Sequence, residues 1–264
     1  MKIFKQRILL QKKIIQEKSL SFIPTMGGLH KGHIKLIKIA KNRFKSVIVS
    51  IYINPKQFDS KKDFNKYPRK LNKDINLLKK LKVNYLYIPN YSDIYSFETK
   101  NKIHLHKFSK KLCGKKRKNH FKGVINVVNR FLEIIKPKYI LLGKKDFQQL
   151  FLIKKHIEKN KINTKIISCN TVREKNGIAC SSRNYNLSKN EILILSNAIY
   201  FIKKNKKSMN KKIILNKLRN LGIKKVDYID FLETKTLKAP KSKKTNFNIF
   251  VAFYIGKTRL IDNF

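Results

Sequence analysis

Ser19-Leu20-Ser21-Phe22-Ile23-Pro24-Thr25-Met26-Gly27-Gly28-Leu29-His30-Lys31-Gly32-His33 decides the fold. Ser19 to Pro24 is an apolar run short enough for a strand, and from His33 to Phe44 the residues Ile34, Ile37, Ala40 and Phe44 recur at helical spacing. Between them sits a turn with two adjacent glycines, which lets the backbone approach a ligand closely. The helix that follows offers unpaired N–H groups and the positive end of its dipole, and His30 and His33, three apart, can both point at an anion such as phosphate.

Outward from this unit the alternation continues. Val47–Ile53 reads as a strand, Leu71–Leu81 as a helix, Tyr85–Ile88 as a strand, and Val124–Ile135 as a helix stopped by Pro137. Tyr139–Leu142 (strand), Phe147–Ile157 (helix) and Lys165–Ser168 (strand) complete it. Continuous apolar strands separated by helices predict a Rossmann-like, doubly wound parallel α/β sheet, whose ligands bind beyond the carboxyl ends of the strands. Met1 to Gln16 is read as an opening helix. After about Arg173 two helical stretches, 190–204 and 210–221, precede β-like segments at 227–232 and 247–255, which predicts a smaller α+β domain. The expected division is residues 1–174 and 175–264, with a mobile loop at 238–245.

The chain of 264 residues carries 63 Lys+Arg against 15 Asp+Glu, a net charge of +48, yet 42% of it is hydrophobic, enough for a sizeable core. Lysine is spread almost evenly beside abundant Ile and Asn, the pattern of AT-rich coding drift, and only Lys115-Lys116-Arg117-Lys118 is a dense basic run. A specific nucleic-acid partner is therefore not expected. Cys113, Cys169 and Cys180 are too few and scattered for a disulfide framework, and no apolar run reaches the roughly 18 residues of a membrane span, so a cytoplasmic protein without a membrane partner is expected. His104 and His106 are read as one solvated face of a β-like stretch, His120 as a residue ordering a loop, and Asp74 as an ordinary surface acid of its helix.

The turn with its His-x-Gly-His resembles nucleotidyl-transferring α/β proteins, and further blocks narrow the resemblance. They are Ser50-Ile51-Tyr52-Ile53-Asn54-Pro55-Lys56-Gln57-Phe58, Tyr67-Pro68-Arg69, Asn119-His120-Phe121-Lys122-Gly123-Val124 and Gly143-Lys144-Lys145-Asp146-Phe147-Gln148-Gln149-Leu150. Thr171-Val172-Arg173-Glu174, Ser181-Ser182-Arg183-Asn184 and Thr258-Arg259-Leu260-Ile261-Asp262-Asn263 follow. Together they are similar to the pantoate–β-alanine ligase family over nearly the whole chain.

That resemblance implies ATP-dependent joining of pantoate to β-alanine through a pantoyl-adenylate, giving pantothenate, AMP and pyrophosphate. It implies ATP as co-substrate with Mg²⁺, metal ligands unknown, a homodimer, and a C-terminal domain covering the site. By the same resemblance ATP contacts fall on Met26, Gly27, Gly28, Leu29, His30, Lys31, Gly32, His33, Gly143, Lys144, Lys145, Asp146, Val172, Cys180, Ser181, Ser182 and Arg183. His33 is the expected proton donor, with His30, Lys145 and Arg183 completing the catalytic set, while Gln57, Gln149 and Asn54 hold pantoate and β-alanine. The family has Gly-Glu-Lys-Asp, Leu-Glu-Gly and Pro-Gly-His-Phe where this chain has Gly143-Lys144-Lys145-Asp146, Leu112-Cys113-Gly114 and Lys118-Asn119-His120-Phe121. Two alternatives stand at this level: another nucleotidyltransferase acting on a different acid, and a nucleic-acid-binding module that has lost its enzymatic function.

Overall fold

The structure, a computed structural model, describes residues 1–242 and 244–264, with Lys66 described in its backbone only. The chain divides into two units, Met1–Asn170 and Thr171–Phe264. In the first, β1 (Lys2–Phe4), β2 (Leu20–Thr25), β3 (Ser46–Ile51), β4 (Tyr85–Tyr87), β5 (Tyr139–Gly143) and β6 (Lys165–Cys169) form one parallel sheet in the order β1-β4-β3-β2-β5-β6. The intervening helices are α1 (Arg7–Ile14), α2 (Lys31–Arg43), α3 (Lys61–Lys66), α4 (Leu71–Lys80), α5 (Tyr91–Tyr95), α6 (Cys113–Lys116), α7 (His120–Ile135) and α8 (Phe147–Lys159).

β3 is buried at every position, as a strand covered on both faces must be. From β2 the chain winds outward through β3 and β4, then crosses back to β5 and on to β6. The order therefore reverses between β2 and β5, the kind of switch point at whose carboxyl edge ligands bind in open α/β sheets. That is where the glycine turn (after β2) and the 143–147 loop (after β5) lie.

The opening segment departs from the expected helix. Lys2–Phe4 pairs in parallel with Tyr85–Tyr87 as an edge strand, and α1 starts only at Arg7, whose N–H donates to Asp93 Oδ1 at 2.8 Å. A three-residue edge strand is too short to show a period in sequence. α7 begins four residues earlier than its apolar pattern, and Lys136 ends it in the left-handed region (φ 47°) just before Pro137.

Behind the sheet a buried polar network ties α7 and α8 to the 99–106 loop. His156 Nε2 meets Asn129 Oδ1 at 2.9 Å, and His156 Nδ1 accepts from the His104 N–H at 3.2 Å. Nδ1 is an acceptor, so the ring is neutral with its hydrogen on Nε2, and burial pushes its pKa down to about 4. Unfolded histidine titrates near 6.5. Between these values the unfolded chain binds the extra proton, so this group stabilises the fold above about pH 6.5 and withdraws that stability as pH falls toward 4. We expect the urea midpoint to fall from pH 7 to pH 5, and to fall less in His156→Gln, whose amide nitrogen can still donate to Asn129; equal slopes would refute the assignment.

The second unit holds a three-stranded antiparallel sheet in the order β7-β8-β9, with β7 Val226–Glu233, β8 Phe247–Ile255 and β9 Thr258–Asn263. α9 (Lys189–Lys204) and α10 (Lys211–Asn220) share a core with this sheet through Leu195, Ile202, Leu218, Ile249 and Phe253. Residues 171–174 fall in this unit, where Arg173 bridges to Ala179 and its guanidinium grips Asp262 through two bonds of 2.7 and 3.0 Å. The 238–245 loop has no helix or strand among its described residues, and its expected mobility falls partly on Lys243, outside them.

Candidate active site

Both glycines of the turn are left-handed, Gly27 at φ 77° and Gly28 at φ 61°, a region closed to most side chains. A Cβ on Gly27 would stand 3.0 Å from Asp74 Oδ2 and 3.2 Å from Ile51 Cγ2. Asp74 is not at the surface as expected: it is 4% exposed, and its carboxylate accepts the Gly28 N–H at 2.8 Å and the Leu29 N–H at 2.9 Å. The signal was present in the sequence, because Asp74 stands three residues after Leu71 and four before Leu78, on the apolar stripe of α4.

Three further amides of the turn are used inside the protein as well. Gly27 N–H donates to Thr25 Oγ1 (3.2 Å), His30 N–H to His33 Nδ1 (3.3 Å) and Gly32 N–H to His30 Nδ1 (3.1 Å). The His30 and Gly32 amides at the start of α2, expected to face a ligand, are thus turned to the imidazoles. The capping box formed by His30 and His33 takes the orphan donors of the helix end.

The same bonds assign the imidazole tautomers. Each Nδ1 accepts a backbone N–H, so in the neutral ring each hydrogen sits on Nε2. The rings lie 4.1 Å apart between centroids. Burial, and then the neighbouring His30, lower the His33 pKa to about 3, with Lys145 adding to the effect and Asp146 opposing it. With its ring neutral, His33 offers an Nε2–H hydrogen bond. Lys145 is largely covered and pairs with Asp146 at 3.5 Å, whereas Lys144 is exposed and reaches Asn170 Oδ1 at 2.8 Å.

Beyond β3, Asn54 is 1% exposed and caps the turn at Pro55–Gln57: its Oδ1 accepts Lys56 N–H and the Tyr95 hydroxyl, and its Nδ2 donates to Gly123 O. Gly123 must lack a side chain, since a Cβ there would stand 2.1 Å from Lys56 O. Gln57 is 8% exposed and its Nε2 lies against Met26 Sδ, which joins this segment to the glycine turn. The Gln57 carbonyl receives Arg117 Nη2 (3.2 Å) and His120 Nδ1 (2.7 Å). Arg117 also pairs with Asp59 at 2.6 Å, so this member of the basic run faces inward. Gln149, half-buried on the first turn of α8, follows Gln148. Gln148 is buried, donates to Phe108 O and Lys111 O, and accepts from Cys113 N–H.

The other expected ATP contacts lie in the C-terminal unit. Ser181 Oγ accepts the Arg183 N–H and caps the turn at Ser182–Asn186, while Cys180 is buried, with its N–H on Val172 O and its Sγ against Glu174 Oε1. His104 and His106 lie on no strand, and His106 Nδ1 caps a short turn by accepting the Phe108 N–H. Among the described residues, no group of three or more His, Cys, Asp or Glu could hold a metal ion, and no helix is long and apolar enough to cross a membrane.

Residues 2–264 match the family model described as pantoate-beta-alanine ligase. This chain belongs to the pantoate-beta-alanine ligase family. The ligase is 39% identical over 267 residues to the pantothenate synthetase of Clostridium botulinum (strain ATCC 19397 / Type A), covering 98% of this chain and 95% of that protein. It is 42% identical over 266 residues to that of Francisella tularensis subsp. novicida (strain U112), covering 98% and 94%. A crystal structure of the Francisella tularensis ligase, complexed with beta-gamma ATP and beta-alanine, superposes with a TM-score of 0.88 at 40% identity, covering 100% of this chain and 97% of that one. The pantothenate synthetase of Thermus thermophilus superposes at 0.91 with 28% identity, covering 100% and 99%. The chain is accordingly an amide-forming, ATP-dependent ligase with the Rossmann-like sheet that its sequence predicts.

Proposed function

We propose that this ligase condenses pantoate with β-alanine in two steps at the carboxyl edge of its parallel sheet. A pantoate carboxylate oxygen attacks the α-phosphorus of ATP and pyrophosphate leaves. The β-alanine amine then attacks the acyl carbon of the pantoyl-adenylate, forming the amide and expelling AMP. The proton lost by the amine leaves with AMP or solvent, and no side chain is assigned as its base. The observation that carries the reading is the pair of imidazoles at the start of α2, on the β2 side of the switch point between β2 and β5, each with Nδ1 on a backbone amide and Nε2 left as the donor.

Such a displacement needs positioning and charge stabilisation more than covalent help. His30 and His33 donate to the phosphates, Lys145 supplies positive charge beside them, and Met26 to His33 with Gly143 to Asp146 line the nucleotide. Val172, Cys180, Ser181, Ser182 and Arg183 of the C-terminal unit are assigned to ATP on the family resemblance. Mg²⁺ accompanies the nucleotide and offsets its phosphate charge. Asp146, whose charge acts on His33, is the acid available to such an ion, since Asp74 is committed to the Gly28 and Leu29 amides, and Mg²⁺ keeps most of its ligands on phosphate and water.

Gln57 and Gln149 hold the acid and the amine, whereas Asn54, expected beside them, is 1% exposed with both side-chain polar atoms bonded inside the protein and braces the Gln57 turn. Amides donate and accept without competing for the activated acyl group. Gln57→Ala is expected to weaken pantoate binding at least about tenfold, the effect of losing hydrogen bonds to a charged group, and to change ATP binding much less. Equal loss for both ligands would reject this placement. A cytoplasmic homodimer completes the reading, on the resemblance alone. Incubation with ATP, pantoate and β-alanine should yield AMP only when all three are present; ADP as the product, or AMP formed equally well with an unrelated acid, would refute it.

A further inference from the structure

We propose that Asp74 is the positioning residue that shapes the glycine turn for ATP, a role resting on the functional reading above. A carboxylate at 4% exposure beside a site for a polyphosphate is electrostatically unfavourable for that ligand, so its presence needs a compensating task. The geometry supplies one. Gly28 and Leu29 are consecutive amides turned to the same side, and their N–H groups reach separate oxygens of one side chain, Oδ2 at 2.8 Å and Oδ1 at 2.9 Å. Only an ionised carboxylate offers two acceptors on a stem this short; an asparagine would set its own NH₂ against one of the two donors. The packing of Asp74 Oδ2 at the bare Cα of Gly27 makes the fit close.

With both amides held from below, the left-handed pair Gly27–Gly28 turns the chain so that the capping box can close between His30 and His33. That box places both ring hydrogens on Nε2, the side the reading assigns to the phosphates. Asp74 thus acts on ATP through the imidazoles and touches no reacting atom.

The test measures binding of a non-hydrolysable ATP analogue, and separately of pantoate, to wild type and Asp74→Asn, with Mg²⁺ and with EDTA. Positioning predicts analogue binding weaker by at least about tenfold in both media, since a buried donor is left unmet, with pantoate binding changed less than about twofold. Tighter analogue binding would mean that only the negative charge mattered, and loss confined to Mg²⁺ would mean a metal ligand; either overturns the proposal. A lower Tm with unchanged affinities would make Asp74 a brace of the fold alone and overturn it too. If Asp74→Asn does not fold, hydrogen exchange in wild type decides: Gly28 and Leu29 amides protected before the analogue is added support the proposal, and protection appearing only with it refutes it. Failure of the underlying reading has its own signal, wild type leaving the His30 and His33 imidazole resonances unmoved by the analogue, and it removes the proposal as well.

Discussion

His33→Ala is expected to slow pyrophosphate release in a single turnover about 10²–10³-fold, the usual cost of one donor aimed at developing charge. The fold should survive, because the ring is half-buried at a helix start and outside the main core. The tautomer assignment sharpens this result. Asparagine can place an oxygen where Nδ1 accepts the His30 N–H, whereas glutamine can place an amide nitrogen near Nε2. If the Nε2–H is what the reaction uses, His33→Gln retains more activity than His33→Asn. Because the His33 pKa is lowered to about 3, its contribution stays constant from pH 8 to pH 5, and no rate step near 6.5 arises from this residue. Near-wild-type rates in His33→Ala would remove it from the chemistry.

The second large effect is structural. Arg173→Met leaves Asp262, 5% exposed in its side chain, without the guanidinium that meets both its oxygens. The same guanidinium also donates to Gly177 O and Asn263 O and lies 4.5 Å from the Phe264 ring centroid. Removing one partner of a buried pair costs about 3–5 kcal/mol, and a guanidinium 23% exposed puts the expectation near the lower end. The urea transition of the C-terminal unit should shift by that amount, and Arg173→Met with Asp262→Asn should recover most of it, since the neutral amide still accepts the Asn263 N–H. Arg173 also anchors the 173–179 hairpin that leads into Ser181, Ser182 and Arg183, so the single variant should lose activity along with stability. A shift below about 1 kcal/mol, the range of an exposed pair, would contradict the account.

Much of this was readable in residues. Buried parallel strands advertise themselves as unbroken apolar runs, so β2, β3 and β5 and the carboxyl edge they share follow from Leu20–Thr25, Ser46–Ile51 and Tyr139–Gly143 alone. The edge strand Lys2–Phe4 did not, because three residues carry no period and its pairing with β4 is some eighty positions away. In the proposed site, the strand–turn–helix pattern picks out the two imidazoles and the family resemblance adds the lysine and the amides, but where the turn's N–H groups point is a property of φ angles at Gly27 and Gly28. Burial then converts a nominal helical acid, Asp74, into a support and lowers the pKa of His33. Two of the family departures illustrate the same limit: Cys113 lies buried with its N–H on Gln148, and Lys144 turns to Asn170, arrangements fixed by partners distant in sequence.

The claim that the acid is activated on the α-phosphorus has a direct test in pantoate labelled with ¹⁸O in its carboxylate. Turned over with ATP and β-alanine, the enzyme should deliver one labelled oxygen into AMP and none into pyrophosphate. Label recovered in orthophosphate, with ADP as co-product, would mean attack on the terminal phosphate and would contradict the assignment of this carboxyl edge as an adenylation site.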